Sequence, residues 1–171
     1  VQTARDKVAE SDAFAPHDRS YQEAAASILQ RSERRKGLCL DWNAASCRLA
    51  EELVRQSELR VLCVCRDRDA AEAARRRLRA RGLYGARIVV RHANEIEQLH
   101  LTPHWANLVV SEATLADGQP PASVAAIRRV MAPTGAAIFG VLADADHRKA
   151  ATSLREWNEH QAETDESATG T

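Results

Sequence analysis

The chain has 171 residues, 44% hydrophobic but only 4% aromatic, with 24 basic and 24 acidic side chains. That length fits one domain with a core built from Ala, Leu and Val, and the zero net charge excludes a global field drawing it to nucleic acid or anionic lipid. No apolar run nears the ~20 residues of a membrane span, and Cys39, Cys47, Cys63 and Cys65 are too few for a disulfide scaffold and lack zinc-site spacing.

Residues 1–19 are polar, contain Pro16 and show no period, so a flexible leader is expected. The chain opens on Val1 rather than Met and has no signal-peptide pattern; it reads as a processed product or a module of a longer chain. Ser20-Tyr21-Gln22-Glu23 has the form of a capping box and predicts a helix to about residue 32. A charge cluster over 31–36 leads to Gly37. Residues 37–41 read as a buried strand and 44–56 as a helix with Leu49, Leu53 and Val54 on one face. LRVLCVC (59–65) is nearly continuous in apolar character, as a parallel strand covered on both faces should be. Asp67 is placed to cap a helix over 68–81 that stops at Gly82. ARIVVR (86–91) is a third strand and WANLVVS (105–111) a fourth. A helix over 121–131, a turn at Pro133-Thr134-Gly135, a fifth strand over 136–142 and a last helix over 146–161 follow. The acidic, small-residue tail 164–171 is expected to be disordered, which leaves 20–163 as the domain. Strands alternating with helices imply right-handed crossovers and a mostly parallel α/β sheet with helices on both faces.

Several strings along residues 20–142 give this pattern a more particular form. LCLDW has the character of a first strand with a terminal acid, and RVLCVCRD of a second strand with its turn. RIVVRHAN resembles the third strand and its loop, WANLVVSE the fourth strand, and IRRVMAPTGAAIFGV a helix, turn and fifth strand. Together they resemble the class I S-adenosylmethionine-dependent methyltransferase fold. The resemblance implies a Rossmann-like sheet in the order 3-2-1-4-5, with the family's last two strands missing. SELRV, LRARGLYG and ANLVVSE are similar to methyltransferase-like domains of bacterial chains that also carry a pyrroloquinoline-quinone-type β-propeller. That resemblance implies a protein partner or the remainder of a longer chain, in the cytoplasm or the periplasm.

The cofactor positions implied by the family are Asp41, Asn43, Ala45, Cys47, Cys65 and Asn94. Asp41 matches the acid ending the first strand. Asn43, Ala45 and Cys47 stand where three glycines let the backbone approach the ligand, and Trp42 lies beside them in sequence. Cys65 replaces the acid that takes both ribose hydroxyls; a thiol offers no pair of acceptor oxygens. Asp67 lies two residues on, in a capping position. Asn94 replaces an Asp that meets the adenine amino group and keeps a carbonyl acceptor. Ser111 and Glu112, after the fourth strand, read as polar lining. The expectation is a degenerate methyltransferase-like domain, a structural or interaction module without catalytic residues, metal or bound cofactor. The alternative is an active methyltransferase that takes S-adenosylmethionine through an altered loop.

Three other patterns have ordinary explanations. Cys47 and Cys65 could form a redox pair, with Cys47 activated by a helix N-terminus, or could be small apolar fillers. The arginines at 75, 76, 77, 79 and 81 spread around their helix and read as a solvated face rather than a nucleic-acid patch. His100 and His104 flank Pro103 and read as loop residues.

Overall fold

The computed structural model describes residues 16–119, 121, 124–142 and 152. Its elements in chain order are α1 (Pro16–Ser32), β1 (Lys36–Trp42), α2 (Arg48–Gln56), β2 (Glu58–Cys65), α3 (Arg68–Ala80), β3 (Ile88–His92), a 3-10 turn (Ile96–Leu99), β4 (Ala106–Val110), α4 (Glu112–Asp117), α5 (Val124–Val130) and β5 (Met131–Ala137). The strands form one sheet in the order β3-β2-β1-β4-β5, and every pairing is parallel. The order and the parallel sense are those expected from the sequence.

Period-two alternation divides the core into two layers. Cys39, Val61, Cys63, Cys65, Ile88, Val90, Leu108 and Val110 pack with the apolar sides of α1, α2 and α3. Leu40, Trp42, Leu62, Val64 and Val109 pack on the other side with Ile96, Leu99 and the α5 residues Ala126, Ile127 and Val130. Both layers are needed because the inner strands have no polar face to leave in water.

The boundaries differ where tertiary contacts outweigh local pattern. α1 already begins at Pro16, so Ser20 lies inside the helix and does not cap it. α2 begins at Arg48, not residue 44; residues 43–47 are irregular, with Asn43 at φ 60° and Cys47 at φ 58°. β5 is Met131–Ala137 rather than 136–142. Its register on β4 jumps from Ala106↔Met131 to Leu108↔Ala136, so Pro133-Thr134-Gly135 forms an irregularity within the strand instead of a turn before it. Gly135 is required there: a Cβ would lie 2.8 Å from Met131 Cγ and 2.9 Å from the Ala132 oxygen. The Ile138 N–H still donates to the Val109 oxygen (2.9 Å), and the Leu142 N–H donates to the Leu115 oxygen (2.8 Å). α5 is shorter than the helix expected over 121–131. The expected tail and nearly all of the last helix, over 146–161, lie outside the described residues, as does the leader through residue 15.

Candidate functional site

The carboxyl ends of β1, β2 and β4 bring together Asp41, the loop over 43–47, Cys63, Cys65 and Glu112. The local problem they solve is the start of α2. A helix presents its first N–H groups without partners, and Cys47, in the capping position, makes no side-chain cap. Glu112, from the first turn of α4, supplies the missing acceptors. Its carboxylate accepts from the backbone N–H groups of Ser46 (2.7 Å), Cys47 (2.8 Å), Arg48 (2.9 Å) and Leu49 (3.4 Å), and from the Ser46 hydroxyl (2.6 Å). The side chain is 1% exposed. Negative charge here also meets the positive end of the α2 dipole.

Asp41 is tied to the same group. Its Oδ1 accepts from the Glu112 backbone N–H (2.9 Å), while Oδ2 is buried with no hydrogen-bond partner. Burial first, and the Glu112 charge second, hold the Asp41 carboxyl well above the usual carboxylate range. Tyr21 of α1 belongs to the same group; burial, then the Glu112 charge, push its phenol up to about 12, while the Arg48 charge and the hydrogen bond with Ser46 oppose the shift.

The three thiols Cys47, Cys63 and Cys65 cluster beneath the loop and, like Cys39, are buried and unbridged. Hydrogen bonding with Cys63 raises the Cys47 thiol most, and hydrogen bonding with Cys47 raises Cys65 most. Burial pushes Cys63 up to about 12 and raises Cys39 as well. Of the two readings of Cys47, an activated thiol and a small apolar filler, the raised thiol favours the filler: hydrogen bonding with Cys63 first, and then burial, disfavour the thiolate. Among the described residues no group of His, Cys, Asp and Glu has the geometry to hold a metal ion.

The remaining positions diverge. Trp42 points away from Asp41 into the second core layer, with the Arg66 guanidinium 5.9 Å from its ring centroid. Asn43 is half-buried and its amide donates to Gln119 Oε1 (3.3 Å). Ala45 and Asn94 are exposed; the Asn94 N–H donates to Gln98 Oε1 (2.9 Å). Asp67 caps α3 as expected, accepting from the Ala70 N–H (2.7 Å). Four of the five arginines of the run have local partners: Arg75 meets Glu72 and the Val90 oxygen, Arg77 and Arg81 meet Glu51, and Arg79 stacks on Tyr84, while Arg76 is exposed. Glu112 is the residue whose role the sequence understated. The available signal was Cys47 itself, a poor cap that obliges another side chain to supply the acceptors.

Among the described residues no helix is long and apolar enough to cross a membrane. No protein-family model and no curated protein matches the sequence. Solved structures do. A candidate S-adenosyl-L-methionine-dependent methyltransferase from Methanococcus maripaludis superposes with a TM-score of 0.62 at 18% identity, over 86% of this chain and 68% of that one. Geranyl diphosphate methyltransferase in complex with S-adenosylmethionine gives 0.56 at 14% identity, over 68% of this chain and 47% of that one. The [4+2]-cyclase SpnF gives 0.58 at 14%, over 80% and 57%. This chain thus spans about half the length of the latter two. One of the three is a cyclase, so the architecture does not fix a reaction. Five parallel strands in the order 3-2-1-4-5, flanked by helices, give this chain the Rossmann-like methyltransferase fold.

Proposed function

We propose that this domain keeps the methyltransferase fold without a working S-adenosylmethionine site, and acts as a structural or interaction module of a larger protein or assembly. The observation that carries the reading is the Glu112 carboxylate. It takes up the backbone N–H groups at the start of α2, the part of such a fold best suited to receive an anionic ligand group. Three further features agree. Cys65, 1% exposed, offers neither acceptor oxygens nor access for a ribose. Asp41 is fully buried, and burial together with the Glu112 charge disfavours its charged form. The Cβ of Cys47 lies in a loop where the family has glycine. In this reading the residues present do not fit an adenosyl cofactor. The similarity to propeller-linked domains supports a partner within the same polypeptide or assembly.

A second reading, an active methyltransferase with an altered loop, is favoured by one observation. Asn43 and Cys47 keep the left-handed backbone that glycines would serve. Isothermal titration with S-adenosylmethionine and S-adenosylhomocysteine separates the two. Neither is expected to bind; micromolar affinity for either overturns the module reading.

A further inference from the structure

Among the described residues the two faces of the sheet are covered unequally. On the first face the β2–β3 crossover supplies α3, 13 residues long; on the second, the β3–β4 crossover supplies a 3-10 turn of 4 residues. A groove of about 370 Å³ remains over β1, β2 and β3 on that second face. Register sets its floor. Leu38 lies beside Arg60, and Leu62 beside Val89, with Leu101 and Trp105 as one wall. Val89 is 41% exposed, the one large hydrophobic side chain so exposed among the described residues.

Charge selects the occupant. Arg60 and Arg91 are exposed at the rim, and neither forms an ion pair among the described residues. A third arginine, Arg87, is committed to the backbone oxygens of Val54, Ser57 and Leu59. Among the described residues no acidic side chain lines the groove. A sheet face of this kind is ordinarily closed by a helix, and two exposed guanidinium groups beside an apolar floor favour carboxylates flanking an apolar stripe. Nucleic acid would leave the leucine and valine floor without a counterpart.

We propose that this groove docks an amphipathic helix of a protein partner, with Leu, Ile or Phe on the buried face and Glu or Asp facing Arg60 and Arg91. The proposal rests on the reading of the domain as an interaction module, but its test reads peptide binding and not cofactor binding, so the two fail separately. The full chain is titrated into two fluorescent helical peptides of about 18 residues, a length that supports helix formation. Both share one Leu/Ile/Phe face, flanked by Glu in one and by Lys in the other. The Glu peptide is expected to bind saturably, and more weakly as salt screens the pairing; the Lys peptide is expected not to bind. Val89→Glu is expected to weaken the Glu peptide about tenfold or more. The double variant Arg60→Glu/Arg91→Glu is expected to switch preference to the Lys peptide. Both variants lie at exposed positions, and circular dichroism with thermal melting confirms that they fold. Equal binding of the two peptides, indifference to Val89→Glu, displacement of the Glu peptide by oligouridine RNA, or no peptide binding at all (as when a segment of this chain fills the groove) overturns the proposal.

Discussion

Glu112 does for α2 what Cys47, the residue just before the helix, cannot. A buried carboxylate is stable only when its oxygens are met by donors, and here each oxygen receives more than one. Glu112→Ala removes these acceptors at once and leaves several N–H groups without partners. We expect a loss of about 3–5 kcal/mol, seen as a lowered urea midpoint; Glu112→Gln, which keeps one carbonyl oxygen, should lose less. Asp41 behaves in the opposite sense. Its folded pKa lies above its usual 3.8, so its contribution to stability is fully present below that value and is lost as pH rises through the folded value. At neutral pH Asp41 therefore opposes folding. Asp41→Asn preserves an oxygen for the Glu112 N–H and removes the titration. It is expected to raise stability at pH 7 by about 1–2 kcal/mol and to flatten the decline of melting temperature with rising pH. A variant less stable than the parent at pH 7 and equally pH-dependent would show that Oδ2 is not the strained atom.

Among the elements, the inner strands were legible because burial on both faces leaves an apolar run that periodicity detects: LRVLCVC is β2 almost residue for residue. Asp67 marked the start of α3, but the starts of α1 and α2 and the span of the edge strand β5 were not legible. The residues at 44–47 suit a helix locally, yet Glu112, more than sixty positions away in sequence, fixes where α2 begins. β5 departs from its expected span because its pairing is set by β4, which absorbs Pro133-Thr134-Gly135 as an irregularity. The entry into β1 has its own constraint. Gly37 has φ +109°, and a Cβ there would collide with the Asn107 amide, whose Oδ1 accepts from the Leu38 N–H (2.9 Å). Gly37→Ala thus combines backbone strain with loss of a β1–β4 tie. We expect a cost of about 3 kcal/mol, measurable by chemical denaturation; a cost below the usual surface range would mean that Asn107 moves aside freely.

At the scale of the molecule the four thiols report on the integrity of the sheet. All are buried in the layer between the strands and α1–α3, and all have raised pKa values. Thiol reagents should therefore find none in the folded protein and four after unfolding. Labelling should rise with denaturant at the same midpoint as the loss of circular dichroism. Rapid labelling of two thiols under native conditions would instead point to an open, reactive pair.

By itself the sequence determined the architecture. Strand composition, helix alternation and connection lengths demand a parallel sheet covered on both faces, and these are local properties summed along the chain. It also drew attention to the loop over 43–47, where Asn43, Ala45 and Cys47 stand at the positions that the resemblance implies for glycines. Only the tertiary structure decided what stands in their place, because Glu112, Asp41, Tyr21 and the clustered thiols meet through strand order rather than sequence proximity. The uncovered groove on the second face was hidden for the same reason. A side chain's period tells which face it takes, but whether another element covers that face depends on how the crossovers pack in space.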